Sequence, residues 1–149
     1  GGMGGSDVRG ITRTEKVDFI ALCDVDDSRA KGSRELHPKA NYYKDYREML
    51  DKEGKNIDAV SVSTPDHTHA VAAMAAMKMG KHVYVQKPLA HDIYEARMLT
   101  QAAEKYKVVT QMGNQGSSGD GVRKMVEWYD AGLIGEATKV YTGIMEQAL

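Results

Sequence analysis

Five short runs rich in apolar, β-branched and aromatic residues, at 17–22, 57–63, 82–85, 107–112 and 137–143, alternate along the chain with stretches of helical periodicity. Each run is bounded by turn residues, so each predicts a short strand. Residues 70–79 are almost wholly apolar and end at Gly80, which predicts a tightly packed helix with a glycine stop. Asp92 followed by Glu95 has the spacing of a capping box. Ile93, Ala96, Leu99, Ala103 and Tyr106 then recur on one helical face, which should lean on the sheet. Val122, Met125, Val126 and Tyr129 repeat that spacing before Gly132. A helix is expected over 120–131, and its Trp128 and Tyr129 are either core, the preferred assignment, or contacts for a following domain.

Strands alternating with helices imply parallel β-α-β units with right-handed crossovers, hence an α/β fold with a doubly wound, mostly parallel sheet of Rossmann type. The chain opens on GGMGGSDVRG, where such a domain would be leaving its first and central strand. In the usual order that strand lies between two neighbours. Its absence predicts two unpaired edges in the middle of the sheet, and a short apolar strand is expected to precede Gly1 in a longer chain.

At 149 residues the chain can bury one sizeable core and is short for two complete domains. A formal net charge of -1, with no run of lysine or arginine, leaves no electrostatic footprint for nucleic acid or an anionic membrane. A small-molecule partner is expected instead. The single cysteine, Cys23, rules out an internal disulfide and, within FIALCDV, is read as a small buried hydrophobe. The sequence has neither a long apolar span nor a signal-peptide pattern, which makes the cytoplasm the default location; an export segment already removed would leave no trace.

Two stretches carry chemistry. In GKHVYVQKPLA a strand runs into Lys87, and Pro88 cannot continue a central ladder because it lacks an N–H. Lys87 should therefore project from the strand's carboxyl end, where open α/β sheets bind ligands; a solvated lysine in an ordinary loop is the plain alternative. The second stretch is Gly1, Gly2, Gly4 and Gly5, expected to precede a short helix from Ser6 to about Thr12, with Asp24 ending the next strand. Glycines let backbone approach a pyrophosphate, a helix N-terminus supplies N–H donors, and an acid about twenty residues on accepts from the adenosine ribose. A flexible glycine-rich terminus is the alternative, which Asp24 makes less attractive. The Asp24 carboxylate would also repel the extra phosphate of NADP, so NAD is the expected cofactor. Asp26 and Asp27 are read as caps of the following helix, and Arg29 could answer a phosphate.

His67 and His69 beside Asp66 invite a metal reading, but no further compact cluster completes a site. Capping or cofactor contact is preferred, and no metal is expected. Asn114, Gln115, Ser117 and Ser118 form a polar loop at the sheet edge, either a flexible connection or a substrate or nicotinamide contact.

Taken in order, the glycine segment, ALCDVD, STPDHTHA, GKHVYVQKPLA and AGLIGEATKV resemble the Gfo/Idh/MocA family of NAD(P)-dependent oxidoreductases over nearly the whole chain. The resemblance implies a Rossmann domain, here 1–136, followed by an α/β domain that carries much of the substrate site and the oligomer interface, of which 137–149 would be the beginning. Lys87 matches the lysine of the family's Glu-Lys-Pro motif, implied to lie beside the nicotinamide ribose and the substrate hydroxyl. Thr64, Pro65 and His69 match a Thr-Pro-x-x-x-His segment near the cofactor. Gly1 and Gly4, with Gly2 and Met3 between them, match the pyrophosphate-binding stretch, and Asp24 the ribose position. Gln86 departs from the family's usual glutamate: it keeps a hydrogen-bonding amide but loses a charge that would hold Lys87 protonated.

These readings predict an NAD-dependent oxidoreductase acting on a sugar, polyol or related hydroxy compound. Lys87 would be the catalytic group, Gln86 its orienter, Asn114 and Gln115 substrate contacts, and the complete protein a homo-oligomer. A second reading keeps the cofactor but uses transient oxidation to a keto sugar for elimination, glycoside cleavage or epimerisation. A third is a non-catalytic nucleotide-sensing or partner-binding scaffold, since fold alone does not fix chemistry.

Overall fold

In the computed structural model, residues 2–141 are described, and every strand pairing among them is parallel. The order is α1 (Gly2–Thr12), β1 (Ala21–Cys23), α2 (Asp27–Leu36), β2 (Asn41–Tyr43), α3 (Tyr46–Glu53), β3 (Ala59–Val62), a 3-10 turn (Asp66–Thr68), α4 (His69–Lys78), β4 (His82–Gln86), α5 (Ile93–Tyr106), β5 (Thr110–Gly113), a second 3-10 turn (Gln115–Ser118) and α6 (Asp120–Asp130). The strands form two sheets, β1-β2 and β3-β4-β5. β1 and β3 each pair on one side only, and the usual doubly wound order sets these two on either side of its first strand. The chain thus has the α/β, doubly wound, parallel architecture that its alternating pattern predicts.

Two compact units are present, Gly1–Gly113 and Asn114–Leu149. In the first, register aligns Val60 with Val83 and Val62 with Val85, so these valines share one face of the larger sheet. That face packs on α4 and α5 through Ala73, Ala76, Met77, Leu99 and Ala102. Ala73 and Ala76 are fully sealed, because alanine lets helix backbone come close to the sheet. α4 stops as its composition predicts: Gly80 takes φ +73°, its N–H donates to Met77 O, and the Lys81 N–H donates to Ala76 O, closing a Schellman cap. At the start of α5, Asp92 accepts from the Glu95 N–H, while Glu95 Oε2 accepts from the His91 N–H.

β2 and α3 carry no strong periodic signal and are held by tertiary bonds. Asn41 Nδ2 and the Tyr43 hydroxyl each donate to Glu53 Oε1 at 2.7 Å, and these bonds hold the Glu53 carboxyl below its usual range. Three other expectations change. The first strand forms at Ala21–Cys23 rather than over 17–22, and Cys23, last residue of an edge strand, is exposed rather than buried. The glycines do not precede their helix; Gly2, Gly4 and Gly5 lie within α1 itself.

In the second unit, α6 presents Val122, Met125, Val126, Trp128 and Tyr129 at 43–65% exposure, so Trp128 and Tyr129 are not core. Periodicity marks an apolar face without saying what covers it. Residues 137–141 are irregular rather than a strand, and the remainder of that expected run lies outside the described residues. Among the described residues no helix is long and apolar enough to cross a membrane.

Candidate functional site

The carboxyl ends of β3 and β4 face the first turns of α1 across a hollow of about 110 Å³. Met3 of α1 lines it, with Ser63, Thr64 and Asp66 from the segment after β3, His69 at the head of α4, and Gln86 and Lys87 where β4 ends. The glycines matter for the approach of α1. A Cβ on Gly4 would lie 3.4 Å from both Ser63 Cβ and Ser63 O, so at this point α1 stands within van der Waals reach of the strand end. Gly2 takes φ +52°, a conformation that favours glycine, and the first turn of α1 holds no acidic residue to compete for its N–H groups. Gly1 lies outside the described residues.

Beyond β3, Pro65 opens the 3-10 turn, and Thr68 Oγ1 lies 2.8 Å from both Pro65 O and Thr64 Oγ1. His69 locks this segment to the next. Its ring is 1% exposed, with Nδ1 2.6 Å from Pro88 O and Nε2 2.8 Å from Thr64 O. Each ring nitrogen faces a backbone oxygen at hydrogen-bond distance, so His69, through its N–H and its packing, ties the loop after β3 to the turn after β4. Among the described residues no three His, Cys, Asp or Glu side chains come together as a metal cluster.

Gln86 is 3% exposed and Lys87 is exposed, as expected of the last residue of a central strand and the residue that leaves it. Gln86 Oε1 accepts the Lys87 backbone N–H at 3.3 Å, and the Lys87–Pro88 peptide is cis. Asp24 stands apart from the hollow, just past the carboxyl end of β1. There Oδ1 accepts the Asp26 N–H at 3.0 Å, and its own carbonyl accepts from the Tyr42 hydroxyl. Asp26 caps α2 by accepting from the Ser28 and Arg29 N–H groups, and the bond from the Ser28 hydroxyl leads the causes that keep its carboxyl low. Asn114 and Gln115 follow β5 and open the second unit, where Asn114 Nδ2 donates to Ser117 Oγ at 3.4 Å.

The structure thus gathers Met3, Thr64, His69, Gln86 and Lys87 at one hollow, with Gly4 and Pro65 adjoining it in sequence. Asp24 follows β1 of the other sheet, and Asn114 and Gln115 belong to the second unit. Sequence reasoning passed over Asp7 and Ser63. Asp7 reaches Gln86 across 79 residues, and no local pattern announces such a pairing.

A parallel sheet with a hollow at its strand ends, approached by a glycine-rich helix start, defines a Rossmann-type α/β protein. The profile of the Gfo/Idh/MocA oxidoreductases, an oxidoreductase family with an NAD-binding Rossmann fold, matches residues 1–114, and the chain belongs to that family. It is 28% identical over 144 residues to the inositol 2-dehydrogenase of Salmonella typhimurium, covering 94% of this chain and 42% of that protein. It is 32% identical over 152 residues to a glycosyl hydrolase family 109 protein of Solibacter usitatus, covering 93% and 34%. Among solved structures, a myo-inositol 2-dehydrogenase from Lactobacillus plantarum superposes with a TM-score of 0.73 at 26% identity, over 80% of this chain and 35% of that one. A probable dehydrogenase from Thermotoga maritima gives 0.72 at 26%, over 87% and 38%. The chain spans less than half the length of each.

Proposed function

We propose that the hollow between α1 and the ends of β3 and β4 is the nicotinamide end of an NAD site. The complete protein is then an NAD-dependent oxidoreductase that moves a hydride between the cofactor and a sugar, polyol or related hydroxy compound. The observation that carries this reading is the convergence on one hollow of a glycine-bearing helix start, Thr64 and Lys87, from three separate segments of the chain. The residues fit the group: Gly4 admits close helix approach, Gly2, Met3 and Gly4 present the first turn of α1 to a pyrophosphate, and Asp24 directly follows the strand expected to meet the ribose. The inositol dehydrogenase relatives support a polyol substrate.

Bound NAD supplies the hydride acceptor or donor. The protein's part is to orient the reacting carbon, take up the hydroxyl proton and steady developing charge. Lys87 polarises that hydroxyl or relays its proton, Gln86 orients Lys87, and His69 keeps Thr64 and Pro65 in place through its two backbone contacts. Asn114 and Gln115 are assigned as substrate contacts, and the second domain of the complete protein carries the oligomer contact.

Two measurements test this. Calorimetric titration of NAD and NADP should show preferential NAD binding. In the complete protein, Lys87→Met should lower kcat about 100-fold or more while leaving NAD affinity nearly unchanged, the scale of a lost general acid–base group. Normal turnover with normal cofactor affinity would sink the assignment. The glycosyl hydrolase family 109 relative favours a second reading in which oxidation is transient and net redox is zero. Substrate consumption without NADH accumulation would select it.

A further inference from the structure

Asp7 belongs to none of the motifs above, yet the amide beside Lys87 hangs from it. The Asp7 carboxylate accepts from Ser63 Oγ at 2.6 Å and from Gln86 Nε2 at 3.0 and 2.9 Å, one contact to each of its oxygens. Gln86 is 3% exposed, and its Oε1 accepts the Lys87 N–H at 3.3 Å. A carboxylate only accepts, so it dictates which end of the amide turns toward it and leaves the carbonyl end for Lys87. The amide is confined from the side as well. A Cβ on Gly113 of β5 would lie 3.1 Å from Gln86 Cδ and 2.7 Å from the Tyr84 hydroxyl, so β5 packs closely against both.

We propose that Asp7 is a positioning residue for Lys87, acting through Gln86, and that its carboxylate requires an amide at position 86. One acid on α1 thereby ties the glycine-rich helix start to the ends of β3, through Ser63, and of β4, through Gln86. The link to the cofactor rests on the NAD reading above; the pairing itself does not.

The arrangement implies a charge code. Glutamate at position 86 would set two carboxylates about 3 Å apart with one of them buried, and such a pair cannot stay doubly ionised, so one member holds a proton. Titratable groups around the pair, among the described residues, include Asp66 on the 3-10 turn, His69 on α4, Lys87, and the Tyr84 hydroxyl on the Gly113 side. Asparagine at position 7 facing glutamate at position 86 reverses the roles: the amide on α1 donates and the carboxylate at the end of β4 accepts.

Asp7→Asn, Gln86→Glu and the double swap are to be compared with the wild type at pH 6 and pH 8.5, by urea denaturation without cofactor and by NAD titration. Gln86→Glu is expected to hold at pH 6, where the carboxylates share a proton. At pH 8.5 it should lose urea midpoint and about tenfold or more in NAD affinity, one unit of proton linkage or more. Wild type and double swap should change little between the two pH values. A Gln86→Glu protein indistinguishable from wild type at both, or a double swap no better than Gln86→Glu, overturns the proposal. A wild type that binds neither NAD nor NADP overturns the cofactor reading and the positioning role with it, while the urea comparison still decides the pairing.

Discussion

His69→Ala measures how firmly the two loops at the candidate site are held together. The imidazole is 1% exposed and contacts Pro88 O at 2.6 Å and Thr64 O at 2.8 Å. Emptying a buried ring site costs about 3–5 kcal/mol for the large aromatics, so about 2–3 kcal/mol is taken for the smaller, polar imidazole. Either neutral tautomer of the ring carries a single N–H, so one of the two carbonyls loses a donor, which adds about 1 kcal/mol at the low end of the unsatisfied-group range, and water entering the space lessens that. The expected loss is therefore about 3–4 kcal/mol, a large part of the roughly 5–15 kcal/mol that holds an ordinary domain folded. Urea denaturation followed by far-UV circular dichroism reads the loss directly. A thermal melt should fall by about 6–16 °C, on the scaling for chains of this size. His69→Gln, which keeps one donor, should recover about 1 kcal/mol. A loss below about 1 kcal/mol for His69→Ala would refute the view that the ring is a structural tie, since neither the buried volume nor the two contacts could then matter.

Two further outcomes concern titrating groups outside the hollow. Partial desolvation, with the neighbouring Asp45 and Asp24 carboxylates, pushes the Cys23 thiol up to about 11. Its thiolate fraction at pH 8 is then about 100-fold below that of a thiol at the ordinary value, and alkylation by iodoacetamide should be slower to match, although the residue is exposed; reaction at the rate of a model thiol would contradict this. Asp45 caps α3, and hydrogen bonds from the Arg47 side chain, then the Arg47 backbone N–H, lower its carboxyl to about 2. A depressed folded value gives a contribution fully present above the ordinary carboxylate range and lost as pH falls through about 2. The Asp45 carboxyl carbon shift should accordingly titrate near pH 2, and an inflection near 4 would show that the cap is not held.

Much of this architecture was legible because it is local. The apolar run of α4 with Gly80 at its end, the Asp92 and Glu95 pair opening α5, and a strand driven into Lys-Pro each follow from the preferences of neighbouring residues. The placing of Thr64 and Lys87 at one hollow was legible one step further out, because parallel β-α-β order brings consecutive strand ends to the same edge. β2 and α3 were not, since they depend on Asn41 and Tyr43 finding Glu53. Nor was the exposure of Trp128 and Tyr129, because a helical period marks which residues share a face and is silent about any covering surface.

The sequence by itself determined the alternation of strand and helix, the parallel fold class and the position of the lysine where its strand ends. These depend on backbone preferences and side-chain period, which act over a few residues. Only the tertiary structure decided that His69 ties two loops instead of facing a ligand with its nitrogens, and that the acid beside the Lys87 turn is Asp7. Those are pairings between groups far apart along the chain, set by which surfaces the packed helices bring within hydrogen-bond distance. Nothing in the sequence next to either partner encodes that distance.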